Sequence, residues 1–420
     1  MSRAAIIVFA TVVLTVPGLA PAADSPPPLD FRSAVARSMS ARPEFRRFVL
    51  ERDVLASRRE QAALAPALEF GVDAEGLAGT GDYSGTSNAE IGFSLGSVFE
   101  RGGKRAARVR AIDLRDDLLR TDQRIEAIDL IAETGRRFVA VAVEQERLHV
   151  AQQALAQARE TVAMIAPRVA AARSPRIELL SAQIELSRAE SAFAAAERGL
   201  LVAQRQLATQ WSAPDERPVV DLTLFNVEEV ASLDDLQRAL NGAPDLARFA
   251  GERAVLEAEE RLVRTQRLAD WRWSLGVRRY EASTDQALTF AWSVPLGNAS
   301  RNRASERELS TQLRVAEVRR EERQLELGAL LFRQVEELRG ARARLLQITE
   351  RELPLAREAR VLAERGYRIG RFPYRELANS QSELIALENQ RIDAAAAYHA
   401  TRVEIERLTG ARVSLIAEKP

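Results

Sequence analysis

Between about Gly103 and Ala172, and again between about Arg301 and Ile369, the chain is dominated by Ala, Leu, Glu, Arg and Gln, all strong helix formers. Each segment of near 70 residues predicts a helix roughly 100 Å long at 1.5 Å per residue, several times the globular length. A proline follows each, and then a second helical stretch. After Pro175, Leu179, Leu186, Phe193, Leu200 and Leu207 recur at every seventh position, with Ala182, Ala189 and Ala196 beside them. After Pro373, Leu377, Leu384, Tyr398 and Ile405 keep the same register, which Arg391 interrupts. A sustained seven-residue period is the seam of a coiled coil. Proline costs a helix interior about 3 kcal/mol or more, so Pro175 and Pro373 mark reversals, with Ser174 and Gly370 supplying turn chemistry. A kink in one continuous rod is the other outcome such a proline allows.

Four segments of about ten residues change the period to two. Leu68, Phe70, Val72 and Ala74 share one face of the first, with Glu69, Asp73 and Glu75 opposite; Ala89, Ile91, Phe93 and Leu95 mark the second. The third has Trp271, Trp273, Leu275 and Val277, and the fourth Leu288, Phe290, Trp292 and Val294. Alternation over about 9 to 11 residues suits a transmembrane β-strand, apolar toward lipid and polar toward a lumen. A soluble antiparallel sheet with one buried face shows the same alternation. Three of the four tryptophans lie in these strands, where a membrane-interface girdle would place them. Four strands cannot close a barrel, and open edges are excluded from lipid. Three chains sharing one barrel would give twelve.

The two halves are copies. Moving 198 residues on from Arg173–Leu186 reaches Arg371–Leu384 with seven of fourteen positions identical, among them Arg173/Arg371, Pro175/Pro373, Glu178/Glu376 and Leu179/Leu377. "RPEF" at Arg42 corresponds to "APDL" at Ala243, and each half reads helix, strand, turn-rich loop, strand, long helix, proline turn, helix. The organisation expected is a signal peptide over 1–22; a first repeat over 23–210, with a β-hairpin at 66–99 and a helical hairpin at 103–210 tipped near 173–176; an equatorial connector at 211–244; a second repeat over 245–410, with a β-hairpin at 270–296 and a helical hairpin at 301–409 tipped near 370–374; and a tail, 411–420. The fold class is mainly α with a membrane β-barrel.

Composition narrows the compartment and the chemistry. The start "MSRAAIIVFATVVLTVPGLAPAADSPPP" has a basic beginning, an apolar core and an A-x-A ending at Ala20 and Ala22, a secretory signal with the mature chain beginning near Ala23. Sixty basic and sixty acidic side chains balance, so no net field points to nucleic acid. Lysine occurs only at Lys104 and Lys419, an arginine excess read as coding bias. Without cysteine there is no disulfide, thiolate site or N-terminal lipid anchor. His149 and His399 stand far apart with no ligand neighbours, "RGGKR" lacks P-loop spacing, and no nucleophile has a base and orienting acid beside it. Neither an enzyme nor a cofactor is expected.

These features resemble the TolC family, the trimeric outer-membrane channels of tripartite efflux pumps and type I secretion systems. The most specific stretch runs from Glu352 to Leu384: Leu353, Pro354, Ala356, Ala359, Ala363, Tyr367, Gly370, Leu377 and Gln381 match the family pattern. "VPLGNASRNR", Val294 to Arg303, is similar to a signature of the heavy-metal, CzcC-like branch. The resemblance implies an outer-membrane homotrimer with a 12-stranded barrel and a helical tunnel, a periplasmic adaptor and an inner-membrane pump as partners, and tips that face them. It implies a tip and gate built from Arg173, Pro175, Glu178, Leu179, Gly370, Arg371, Pro373, Glu376 and Asn379. Glu376 falls on one acidic ring position of the family and Asn379 on the other, where this chain departs from an acid. For Glu178 and Glu376 the competing role is helix capping. The membrane-strand aromatics expected are Phe70, Phe93, Trp271, Trp273, Phe290 and Trp292. Export of small molecules or metal ions, protein secretion, and a periplasmic coiled-coil scaffold are the functions this leaves in contention.

Overall fold

The computed structural model describes residues 28–410; the expected signal peptide, the mature start near Ala23 and the tail 411–420 lie outside them. The first half runs α1 (Phe31–Ala41), α2 (Pro43–Ala63), β1 (Glu69–Glu75), β2 (Glu90–Phe99), α3 (Lys104–Ala170) and α4 (Arg176–Ala208). A connector then leads through α5 (Leu233–Asn241) into α6 (Pro244–Thr265), β3 (Trp271–Tyr280), β4 (Gln286–Ser293), the single turn α7 (Asn298–Arg301), α8 (Arg303–Gln347), a π turn (Ile348–Glu352), α9 (Leu353–Arg368) and α10 (Tyr374–Thr409). Both α2 and α6 open on a proline, Pro43 and Pro244, where the missing N–H costs nothing.

Helix α3 is continuous for 67 residues, about 100 Å. It packs against α2 and α6 along one part of its length and against α4 and α10 along the other, while α8 lies beyond α6 and α10. The helices thus form one layer with α2 and α4 at one edge and α8 and α9 at the other. No described helix is long and apolar enough to cross a membrane.

The outgoing helix of the second copy, expected unbroken from about Arg301 to Ile369, is instead three pieces. Pro354 has no N–H, and its ring would clash with a carbonyl one turn back. A π turn immediately before it absorbs the conflict. Arg344 and Gln347 both donate to Glu352 Oε1, at 2.8 and 2.7 Å, and hold the turn. Strand β1 is also shorter than the expected ten residues, with 7; Gly76, at φ 68°, turns the chain out of the sheet.

The largest core sits at the middle, where Phe31, Phe138, Val141, Leu207, Trp211, Leu224, Leu345 and Ile392 meet. The connector crosses it as a strap. Leu29 N–H donates to Val219 O and Asp221 N–H to Leu29 O, and the Gln145 side chain adds a rung by pairing with both backbone groups of Val220. Tyr398 does the same for Glu228. Arg391, which breaks the leucine register of α10, lies with its guanidinium 3.8 Å above the Phe225 ring. His399 is buried with Nε2 2.9 Å from Leu224 O, a packing role. His149 is exposed and bonds Gln153.

Candidate functional site

The sheet has two chemically opposite faces. Its order is β1-β2-β3-β4, all antiparallel, and the register aligns Phe70, Leu95, Leu275 and Phe290 in one row and Val72, Phe93, Val277 and Leu288 in the next. Trp273 opposes Trp292, and Phe99 opposes Trp271. All six expected aromatics therefore share one face, and nothing among the described residues covers it: Phe70 and Phe290 are 70% exposed and Leu288 80%. Phe99, Trp271 and Trp292 cluster at the end nearest the helices, with successive ring centroids 6.2 and 5.8 Å apart.

The opposite face is small and charged. Gly71, Ser94, Gly276 and Thr289 form one row, and Asp73, Gly92, Arg278 and Ala287 another. A Cβ on Gly92 would lie 2.5 Å from the Asp73 carboxylate, one on Gly276 2.5 Å from Phe93 O, and one on Gly96 2.7 Å from Trp273 O. At those three glycines this face has no room for a side chain. Across Gly92, Arg278 reaches Asp73 at 2.8 Å, and it pairs with Glu90 at 3.1 Å and Glu75 at 3.5 Å. Edges β1 and β4 have no partner strand among the described residues.

At the far end of the helices the two turns are built alike. Ala172 (φ 53°) and Gly370 (φ 76°) occupy the left-handed position after α3 and α9. In each turn, two N–H groups close back on the helix end: Ala172 to Val169 O and Arg173 to Arg168 O, then Gly370 to Tyr367 O and Arg371 to Gly366 O, at 2.7 to 3.0 Å. This is a Schellman closure. The first turn thus uses Ala172 where Ser174 was expected. Pro175 and Pro373 then stand extended as N-caps of α4 and α10, their carbonyls accepting from Glu178 and Glu376 N–H at 3.1 Å. Both carboxylates consequently sit at the positive end of a helix dipole.

Beyond the turns the symmetry fails. Glu178 Oε2 accepts a 2.9 Å hydrogen bond from Tyr367 Oη across the hairpins, whereas Glu376 is exposed, with Arg375 3.7 Å away. Arg168 lies 4.9 Å over the Tyr367 ring and donates to Arg368 O at 3.0 Å. Leu179 joins Ile165, Ala182, Ala363, Tyr367, Tyr374 and Leu377 in a small core beneath. Burial, with the Glu178 carboxylate as a further cause, raises the Tyr367 hydroxyl above its usual value, and burial pushes Tyr374 up to about 12. Arg173, Arg371 and Asn379 are exposed. The identity of paired positions in the two copies pointed to Glu178 and Glu376 together; only the fold reveals that Tyr367, Arg168 and Gly366 lock one of them. Gly366 leaves no room for a methyl, which would sit 2.1 Å from the Phe372 ring.

Among the described residues no group of three or more His, Asp or Glu side chains is placed to hold a metal ion. The arrangement is a wall, small and polar on one side and apolar on the other, with a latched end.

Residues 39–212 match the family model described as outer membrane efflux protein. No curated protein sequence matches the chain. Among solved structures, the outer-membrane channel OprN superposes with a TM-score of 0.75 at 16% identity, over 91% of this chain and 90% of that one. CusC, described as forming a transmembrane channel, gives 0.73 at 15% over 91% and 92%. VceC, an outer membrane protein of Vibrio cholerae, gives 0.72 at 13% over 91% and 96%. The resemblance to the TolC-type outer-membrane factors is borne out, in sequence over 39–212 and in fold over nearly the whole length. Neither comparison singles out the CzcC-like branch.

Proposed function

We propose that this chain, whose fold is that of the outer-membrane efflux channels, is one third of such a channel and exports what an inner-membrane pump delivers through a periplasmic adaptor. The observation that carries this is the uncovered apolar face of a sheet with two open edges. In water a row of exposed Phe, Leu and Trp costs about 25 cal/mol for each Å² left wet; in lipid it costs nothing, but open edges are then forbidden. Closure with copies of itself removes both problems. The four strands alternate in direction, so β4 of one copy meets β1 of the next antiparallel, and three copies give an even twelve. The aromatic cluster nearest the helices falls where a barrel has its periplasmic girdle. Exposed apolar side chains also line both edges of the helical layer: Ile177, Leu180 and Ile184 on α4, Phe332 on α8, and Leu355 and Leu362 on α9. The same rotation would bring these edges together and continue the barrel as a tunnel.

Function follows from the walls. Solute passes the small polar face with its Arg278 pairs, and the Tyr367–Glu178 latch holds each hairpin tip against its neighbour until a partner pulls the tips apart. Glu178, Leu179, Pro175 and Pro373 shape the latch, while Arg173, Arg371, Glu376 and Asn379 are exposed at the tip. Type I protein secretion would use the same wall. A water-soluble scaffold would not leave the apolar face bare.

The test is extraction and conductance. Protein released from membranes by detergent but not by high salt, with the mass of a trimer and stepwise unitary currents in planar bilayers, is the expected result. Release by salt as a monomer would refute it.

A further inference from the structure

The chain is neutral overall, with 60 positive and 60 negative side chains, yet the charge at its latched end is one-sided. The first turn and its flanks, residues 164–178, carry Arg168, Arg173 and Arg176 against Glu178. The second, residues 364–376, carries Arg365, Arg368, Arg371 and Arg375 against Glu364 and Glu376. Seven positive charges face three negative ones, a net of +4 for each chain and +12 for three. The negative side chains are already engaged: Glu178 by Tyr367, Glu364 by Arg368 at 2.5 Å and Arg360 at 3.6 Å, and Glu376 by Arg375. Arg173, Arg176, Arg365 and Arg371 are exposed and have no carboxylate partner among the described residues. Acids return only further along the helices, at Glu160, Glu185, Glu358 and Glu383, so the excess is confined to the apex.

We infer that the mouth of the tunnel is an anion-attracting collar, and that the cargo it favours is anionic rather than a bare metal cation. This rests on the trimeric channel proposed above, because only there do the turns become the rim of an opening. Arg173 and Arg371 lie in the turns themselves, so they border that opening whichever face of the helices lines the lumen. A ring of unpaired guanidiniums within about 10 Å of a passing ion is little screened at about 0.01 M salt, where the Debye length is about 30 Å, and is partly screened at about 0.1 M, where it is about 10 Å. Focusing of this kind raises the local concentration of the opposite charge by about tenfold or more. A divalent cation entering from the periplasm meets the same field as a barrier. The departure at Asn379, where the resemblance calls for an acid, removes the charge that would have offset it.

Reversal potentials across a tenfold KCl gradient in planar bilayers test this on purified full-length trimer. Expected is a chloride-to-potassium permeability ratio of about three to ten at low salt, falling toward one near 1 M, where screening shortens to about 3 Å. Arg173→Glu together with Arg371→Glu cancels the net charge of the apex and should bring the ratio near one, while the Gln pair, which halves it, should leave the ratio lowered but still above one. Cation selectivity in the wild type, or a ratio indifferent to both pairs, overturns the inference while leaving the channel intact. Absence of trimer and of current in every variant overturns the channel reading instead. If folded trimer stays shut, fluorescence anisotropy of the trisulfonate dye pyranine reads the collar without conduction. Salt-sensitive binding weakened at least fivefold by the Gln pair supports it, and binding unchanged by that pair sinks it.

Discussion

Replacing Tyr367 by Phe removes one oxygen and leaves the ring, its contact with Arg168 and its place in the tip core. The lost interaction is the 2.9 Å hydrogen bond to the Glu178 carboxylate. A bond to a charged acceptor contributes about 1.5 to 3 kcal/mol, and because Glu178 keeps some contact with water the lower end applies. Tyr367 itself is only 2% exposed, so no water takes the place of its hydroxyl. A loss of about 1.4 kcal/mol is tenfold in an equilibrium. If the three hairpin pairs of a trimer release independently, the open probability of each rises about tenfold; if they must release together, the effect compounds to about a thousandfold. Open probability in planar bilayers measures it, with Glu178→Gln and the double variant completing a cycle. The double should open no further than Tyr367→Phe alone, since both remove one contact. Glu376→Gln is the control: its exposed 3.7 Å pair with Arg375 contributes at most about 0.5 kcal/mol. The reasoning fails if Tyr367→Phe leaves gating untouched while Glu376→Gln relaxes it, or if the two losses at Tyr367 and Glu178 simply add.

Three further outcomes are expected. Ala172→Gly relieves a left-handed alanine at φ 53°, a strain of about 1 kcal/mol, and should raise the thermal unfolding temperature, while Gly370→Ala lowers it; equal shifts of one sign would contradict this. Burial, reinforced by neighbouring Arg402, depresses the pKa of His399, so its contribution is complete above about pH 6.5 and is lost as pH falls below that value. Protection factors of the strap amides around Leu224, which are corrected for the intrinsic pH dependence of exchange, should therefore fall between pH 7 and 5 in the wild type but not in His399→Gln. Gly92→Val drives a side chain into the 2.5 Å gap beside Asp73, displaces Arg278 and should reduce detergent-resistant trimer on gels; unchanged trimer would mean that the small polar face tolerates bulk.

The leucine spacing after Pro175 and the alternation around Phe70 and Phe290 are strictly local signals, and they specify coiled helices and two-faced strands. The contacts that matter at the tip are not local: Tyr367 and Glu178 are 189 residues apart, and nothing near either predicts the other. Arg391 looked like a fault in the seam because its ring partner, Phe225, lies in the connector. Helix α5 announces itself weakly, by Ser232 capping Asp235 N–H, a capping-box spacing too short to stand out beside neighbours many times longer. The equal weight given to Glu178 and Glu376 came from the duplication, which preserves sequence but not surroundings.

The π turn preserves a trace of how the two copies diverged. Buried Leu130, Thr134, Phe138 and Val141 of the first copy return 197 positions later as buried Leu327, Leu331, Val335 and Leu338, whereas Leu155 and Ile165 return 198 positions later as Leu353 and Ala363. One residue has therefore been gained between the two sets, at the place where the helix widens. An extra residue in an α-helix would rotate everything after it by about 100° and swing the tip core away from its partner. Widening by a single turn cancels that rotation, so an insertion that should have unpicked half a hairpin has been carried as a local bulge, and the lineage kept its seam.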